Sequence, residues 1–235
     1  MRLDKCLTEN LGCSRKEATR LIRAGLVIIN DKVTKDSSYK LDDNDEVIFD
    51  GEKLTIGEKD YKVYYMMNKP KGYVSSNDDS LNPFIISLFQ NEYKYKDLFC
   101  VGRLDIDTEG LLFVTNDGEW CHRLTSPKHH VSKVYEALLS KPCPEEAIKT
   151  FKEGVMLNGE KQPTKSANLT IISEKLVHLE ITEGKYHQVK RMFAAIGNHV
   201  EELKRLSIGK VKLDENLAPG EFRELTIEEL NLLKE

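Results

Sequence analysis

The spacing of apolar residues predicts two short helices at the start of the chain. Leucines at helical spacing mark a first helix over residues 3–11, and a second begins at the cap Ser14 and ends before Gly25. The run at 26–29 is typical of a strand, and Asn30-Asp31 of a hairpin turn. The first sixty residues therefore favour a small module of helices followed by strands.

After a polar stretch at residues 54–60, the pattern predicts a larger unit. Its strands are expected at 63–67, 98–101, 111–114, 133–139, 177–181 and 206–213. Its helices are expected at 84–89, 118–124, 144–152, 188–196 and 226–233. We therefore predict an α+β protein of two domains, residues 1–58 and 59–235.

Composition limits the class of protein. Of the 235 residues, 40% are hydrophobic and 31% are charged, as in soluble globular proteins. No apolar stretch approaches the roughly 18 residues that a membrane helix needs. The N-terminus lacks the apolar core of a secretion signal, so we predict a cytoplasmic protein without a membrane partner.

The cysteines and histidines favour neither a disulfide framework nor a metal site. The five cysteines are widely spaced and include no Cys-x-x-Cys pair. His129-His130 has no carboxylate or thiol nearby at the spacing of a metal site. We predict no metal and no cofactor.

Charge is sorted along the chain. The net charge is −4, yet residues 1–40 carry a net +4 and residues 41–60 a net −6. Lys16, Arg20 and Arg23 fall on one face of the second helix, opposite its apolar stripe. Taken alone, this face is explained as well by solvation as by binding of an acidic partner.

The first fifty residues resemble the S4 RNA-binding domain. The resemblance is carried by Arg-Leu-Asp-Lys at 2–5, Ser-Arg-Lys-Glu-Ala at 14–18, Gly-Leu-Val at 25–27 and Asp-Glu-Val at 45–47. One departure is Asp31, where that family usually has Gly. The resemblance implies binding of RNA phosphates through basic side chains. The residues expected to do so are Arg2, Lys5, Arg15, Lys16, Arg20 and Arg23.

An acidic loop separates two predicted buried strands. Asp105, Asp107 and Glu109 lie there with Arg103 beside them, and carboxylates at the end of a core are candidates for acid, base or nucleophile. A solvated acidic loop is the simpler explanation when the loop is taken alone. A carboxylate pair could also serve a glycoside hydrolase, but a single Trp offers little platform for sugars.

Three stretches resemble one family. They are Gly-Arg-Leu-Asp at 102–105 with Thr-Asn-Asp-Gly at 115–118, Lys-Pro-x-Gly at 69–72, and Glu-Gly-Lys-Tyr-His-Gln-Val-Lys-Arg-Met at 183–192. With the S4-like start, the chain resembles the RsuA family of ribosomal RNA pseudouridine synthases. That resemblance implies a mixed, mostly antiparallel sheet with flanking helices and a central cleft. It also implies isomerisation of a uridine without metal or cofactor.

The resemblance assigns roles to residues in the cleft. Asp105 would attack C1′ of the ribose or remove the C2′ proton, and the sequence does not choose between the two. Lys190 would keep that carboxylate ionised, Tyr135 would lie against the base, and Arg103 would fill the space left by the flipped nucleotide. Asp107 and Glu109 are assigned to loop structure. Further RNA contacts are expected from Lys69, displayed on a turn, and from Lys133, Lys185 and Arg191.

Residues 126–130 and 186–195 look most like the family members that act on the small ribosomal subunit, and the chain lacks the basic tail of some large-subunit relatives. We therefore predict a uridine of 16S rRNA as substrate and a monomeric enzyme. Its partner would be ribosomal RNA, either free or in a partly assembled small subunit. The alternatives are a uridine of 23S rRNA and a non-catalytic RNA-binding protein of the S4 type.

Overall fold

The computed structural model describes residues 1–42, 44–56, 62–76, 81–92, 97–126 and 129–234. They form two compact units, Met1–Lys62 and Val63–Glu235. The predicted domain boundary between residues 58 and 59 lies outside the described residues. None of the helices described is long and apolar enough to cross a bilayer.

The first unit packs two helices on a four-stranded antiparallel sheet. Its elements are α1 (Leu3–Leu11), α2 (Arg15–Arg23), β1 (Val27–Ile29), β2 (Lys32–Thr34), β3 (Val47–Phe49) and β4 (Glu52–Leu54). The strand order in the sheet is β2-β1-β3-β4. The Ser14 hydroxyl accepts a hydrogen bond from the Glu17 amide, as the sequence predicts for a helix start. The apolar faces of both helices cover a core that includes Leu7, Ile22 and Val47.

The β1–β2 hairpin explains how Asp31 replaces the glycine usual in S4 domains. Ile29 pairs with Lys32, so the loop has two residues, and Asn30 and Asp31 adopt φ of 46° and 65°. A two-residue hairpin loop requires this left-handed conformation, which Asn and Asp tolerate better than most residues. Asn30 also donates to the Asp45 carboxylate, which ties the hairpin to the segment before β3.

The second unit is built on one large mixed sheet. In the order in which they pair, its strands are β13 (Phe222–Glu224), β5 (Tyr64–Lys69), β7 (Glu109–Thr115), β11 (Val200–Ile208), β8 (Lys133–Leu139), β10 (Leu176–Ile181) and β9 (Asn168–Ile171). In addition, β6 (Phe99–Val101) pairs with β7, and β12 (Val211–Lys212) pairs with β11. Among the strands described, only β7 and β11 run parallel. The predicted α+β class with a mostly antiparallel sheet is therefore confirmed.

The helices of the second unit are α3 (Gly118–Thr125), α4 (Glu146–Glu153), α5 (Gln188–Ala195) and α6 (Ile227–Leu232), with a 3₁₀ turn at Ile85–Phe89. The strand predicted at 206–213 is wrong in extent, because the chain turns at Gly209 and divides it between β11 and β12.

Helices cover the sheet and so fix its strands and loops. Trp120 of α3 packs on Phe113 and on Tyr64, with ring centroids 5.6 and 5.0 Å apart. Phe151 of α4 meets Phe193 of α5 edge to face at 5.1 Å. Burial of these aromatic rings anchors α5, whose first turn carries residues of the candidate site.

Gly110 holds β7 and β11 at their parallel junction. It pairs with Arg205 at φ 104°, and a Cβ there would lie 2.3 Å from the Arg205 carbonyl oxygen. We expect Gly110→Ala to lower the free energy of unfolding by about 2–4 kcal/mol, because backbone strain adds to the clash. Urea titration of both proteins would measure it.

Gly118→Ala is the matched control, since a Cβ at that helix start meets nothing within 4 Å. It should change the stability by less than about 1 kcal/mol. If Gly110→Ala proved as stable as Gly118→Ala, the two strands β7 and β11 would be able to move apart at this junction without loss of stability.

Candidate active site

A cleft of about 820 Å³ opens in the second unit. Its walls come from the β6–β7 loop, the start of β8, the end of β10 and the loop before α5. Tyr135, Arg103 and Asp105 all line it, together with Lys133, Lys185 and His187. The cleft therefore brings together residues that lie eighty positions apart in sequence.

Asp105 lies on a loop whose backbone is held at several points. Its carbonyl accepts from the Thr108 amide at 3.0 Å, which closes a tight turn. Next to it, the amide of Leu104 donates to the Ser75 hydroxyl, which in turn donates to the Leu104 carbonyl. The Asp105 side chain is 28% exposed, so it faces the cleft from a fixed backbone.

Lys69 corrects one prediction. We expected it to be displayed on a turn for contact with RNA, but it is the last residue of β5 and is fully buried. Its ammonium group donates to the carbonyls of Pro70, Asp105 and Thr108 at 3.0, 3.1 and 2.9 Å. Burial lowers the pKa of Lys69 to about 8. Its position makes it a clamp on the Asp105 loop.

Two basic side chains approach the Asp105 carboxylate. Lys190 Nζ lies 3.8 Å from Oδ2, and His187 Nε2 lies 3.5 Å from Oδ1. His187 is a residue that sequence reasoning missed; it adopts φ 47° before α5, and its ring stacks on Tyr186.

The shorter contact of Lys190 is with Asp107. Nζ donates to Asp107 Oδ1 at 2.5 Å. Burial works to raise the pKa of Asp107, but the hydrogen bond and the charge of Lys190 outweigh it, and the pKa lies below its ordinary value. Lys190 therefore bridges the two aspartates, and Asp107, which we assigned to loop structure, orients the lysine that faces Asp105.

Tyr135 and Lys133 project from the same face of β8. Tyr135 is 8% exposed, and its hydroxyl oxygen lies 3.4 Å from Nη1 of Arg205, its partner across the β8–β11 pair. Lys133 donates to the Val131 carbonyl at 2.8 Å. Burial, aided by the charge of Arg205, lowers the pKa of Lys133 to about 8. Sequence reasoning missed Arg205 as well.

Other residues predicted to contact RNA differ in how free their side chains are. Arg103 is exposed at the cleft. Lys185 and Arg191 both bind the Glu160 carboxylate, at 2.9 and 3.2 Å, so these two also fix the loop before α5. Part of the stretch at 126–130, residues 127 and 128, lies outside the described residues.

In the first unit, α2 presents basic side chains on one exposed face. Arg15, Lys16, Arg20 and Arg23 are all exposed. Arg2 donates twice to the Asp4 carboxylate, and Lys5 lies 3.7 Å from Glu9. The α2 side chains are thus better placed than Arg2 to meet an acidic partner.

Within the described ranges, no group of three or more His, Cys, Asp or Glu side chains is placed to hold a metal ion. The cleft presents the Asp105 carboxylate with Lys190 beside it, and the Tyr135 phenol lines the same cleft. Such a carboxylate can act as a nucleophile or as a base.

Comparison with known proteins identifies the family of the chain. A family model for RNA pseudouridylate synthases matches residues 63–195, and a model for the S4 domain matches residues 1–47. The chain belongs to the RNA pseudouridylate synthase family. It is thus an isomerase that converts uridine in RNA into pseudouridine, as the sequence motifs predict.

The relatives match over nearly the full length. The chain is 48% identical over 233 residues to ribosomal small subunit pseudouridine synthase A of Haemophilus influenzae, with 99% of each chain covered. The protein of the same name from Escherichia coli is 46% identical over 230 residues, with 98% of each covered. A crystal structure of pseudouridylate synthase is 47% identical, covers 99% of both chains and has a TM-score of 0.74.

Proposed function

We propose that this enzyme converts one uridine of 16S rRNA into pseudouridine in the cleft at Asp105. The observation that carries the proposal is the fixed Asp105 carboxylate, with Lys190 beside it and Tyr135 lining the same cleft. The choice of 16S rRNA is supported by relatives named for the small ribosomal subunit that match nearly the whole chain. Cytoplasmic location and action as a monomer belong to the same proposal.

The proposed reaction begins when the target nucleotide leaves its stack and enters the cleft. Breaking a base pair to expose a nucleotide costs a few kcal/mol, and exposed Arg103 would occupy the space left in the RNA. Tyr135 would lie against the uracil ring, and Asp105 would meet the ribose. Asp105 then either bonds to C1′ or removes the proton from C2′, and both routes release the base for reattachment through C5.

Mapping pseudouridines in ribosomal RNA tests the substrate. In a strain without this gene, one pseudouridine should vanish from 16S rRNA and return when the wild-type gene is restored. If a pseudouridine were missing from 23S rRNA instead, the substrate would be the RNA of the large subunit. No loss from either RNA would contradict the proposal. Incubation of purified enzyme with free 16S rRNA and with partly assembled subunits would show which form it accepts.

We propose that the α2 face supplies affinity for RNA without choosing the sequence. Replacing Lys16, Arg20 and Arg23 by Ala should weaken binding and reduce the slope of log Kd against log salt by about 2–3, since each phosphate contact contributes nearly one unit. Filter binding at several salt concentrations would measure it. Replacing the exposed Lys149 and Lys152 of α4 by Ala is a control for the loss of charge alone. An unchanged slope in the α2 variant would mean that this face of α2 is exposed to solvent and does not contact RNA.

We also propose that residues 1–58 form the RNA-binding domain and residues 59–235 the catalytic domain. The matches of the two family models, to 1–47 and 63–195, lie on either side of that boundary. Limited proteolysis should cut first between residues 54 and 63. A first cut elsewhere would move the boundary.

A further inference from the structure

Two cations in the wall of the cleft take no part in the reaction described so far. Arg205 lines the cleft but is only 2% exposed, and Lys133 lies beside it on the neighbouring strand. Neither forms an ion pair with a carboxylate among the described residues. A buried charge without a counter-charge is costly, so its presence calls for an explanation.

The hydrogen bonds of Arg205 leave a donor unused. Nε donates to the Leu111 carbonyl at 2.7 Å, which fixes the guanidinium against β7, and Nη1 points at the Tyr135 hydroxyl. Nη2 is buried and has no acceptor among the described residues. The guanidinium carbon lies over the Tyr135 ring, 5.9 Å from its centre, so the charge is next to that ring.

This arrangement also orients Tyr135. Because a guanidinium only donates, it occupies a lone pair of the phenolic oxygen and leaves the hydroxyl proton to point elsewhere. The wall formed by Tyr135, Arg205 and Lys133 is therefore positive and poorly hydrated. Fixed charges in such a place interact strongly with charge that develops during a reaction.

We propose that Arg205 and Lys133 form a cationic floor that stabilises the negative charge on uracil after its bond to ribose has broken. The proposal rests on the isomerisation of uridine in this cleft. When the C1′–N1 bond breaks, its electron pair stays with N1 and spreads over the ring carbonyls. The ring then turns, and a pair at C5 forms the new bond to C1′ while the Asp105–C1′ bond breaks or, on the other route, C2′ takes its proton back from Asp105. The C5 proton passes to solvent water, and N1 takes a proton from solvent.

Removing a buried donor that stabilises an oxyanion typically lowers the rate by about 10²–10³-fold. We expect a fall of about that size in the single-turnover rate of Arg205→Ala. The rate is read as tritium released from RNA labelled at C5 of uridine. The Kd for RNA should stay within about threefold, because the floor acts after binding. Lys204→Met, a neighbouring change on the other face of β11, should keep the wild-type rate.

Chemical rescue separates charge from shape. Guanidinium ion should restore part of the Arg205→Ala rate at concentrations far below those that unfold proteins, with ionic strength matched by NaCl. Urea, which has the same shape without the charge, should not. Equal rescue by both, or a loss of RNA affinity in place of rate, would overturn the proposal.

Three further variants cover the case in which Arg205→Ala does not fold. Lys133 is half-buried, so Lys133→Met should fold and be slowed by about tenfold or more, and Arg205→Lys should keep more activity than Arg205→Met. The proposed cationic floor would be contradicted if Lys133→Met kept the wild-type rate and Arg205→Lys and Arg205→Met had equal rates. Asp105→Asn tests the proposed active site separately. If Asp105→Asn were active, the assignment of the active site to Asp105 would be wrong; if Arg205→Ala kept the wild-type rate, only the role of the cationic floor would be wrong.

Discussion

Replacing Asp105 by Asn is expected to slow pseudouridine formation by at least about 10⁴-fold, the size typical when a reacting group is removed. Asn keeps the shape of the side chain but can neither bond to C1′ nor take a proton from C2′. The loop is held through its backbone, by Lys69 and by Ser75, so its position should survive the change. Single-turnover tritium release would measure the rate, and filter binding should give an unchanged Kd for RNA.

Asp107→Asn is the matched control. Asp107 lies two residues away and contacts the same Lys190, but its side chain is 64% exposed and does not line the cleft. We expect its rate to fall by no more than about tenfold, through a less well oriented Lys190. If the two variants lose the same activity, the aspartates share the chemistry. A nearly normal Asp105→Asn rate would exclude Asp105 as the reacting group.

Short-range patterns predict most of the elements around this site. Asp117 follows β7 and accepts hydrogen bonds from the Glu119 and Trp120 amides, so α3 begins at Gly118, where the predicted helix over 118–124 begins. The apolar spacing of Val189, Met192 and Phe193 likewise gives a buried helix face in α5. Such signals depend on contacts within one turn, which a sequence displays directly.

Lys69 shows where this reasoning fails. A lysine before Pro-x-Gly is ordinarily a solvated turn residue, since burial of an ammonium group is costly. Here three carbonyls from two separate segments converge on it, and no local pattern announces that convergence. A motif resemblance pointed to the residue, but only the fold shows that it acts on the loop from inside.

His187 and Arg205 were missed for similar reasons. His187 approaches Asp105 because its backbone is left-handed, a conformation that sequence does not predict for a histidine. Arg205 follows Lys204 in β11, and two adjacent cations leave open which of them faces inward. The sheet settles this by pairing Arg205 with both Gly110 and Tyr135. The cleft is thus richer in positive charge than the acidic loop suggested.

The second large effect is expected from Lys69→Met, which removes the clamp but keeps the length of the side chain. Three carbonyls would lose their donor, and a loop displaced by about 1 Å can cost about 10²-fold in rate. We therefore expect a fall of that size in single turnover with RNA affinity unchanged. Lys71→Met is the control: its side chain is 42% exposed and 3.5 Å from Glu202, and such a surface pair contributes at most about 1 kcal/mol.

The pH dependence gives this prediction a second test. Lys69 has a pKa of about 8 in the folded protein against an ordinary 10.5, and its neutral amine has two N–H groups for three carbonyls. The wild-type rate should therefore fall as pH rises through about 8. The rate of Lys69→Met should fall less steeply over the same range, because of the two lysines only Lys133, whose pKa is also about 8, still loses its proton there. Because the folded pKa is the lower one, this group's contribution to stability rises between pH 8 and 10.5. As pH rises, activity should thus fall while this contribution to stability grows. A wild-type rate that stays constant up to pH 9.5 would contradict the role of Lys69 in holding the Asp105 loop.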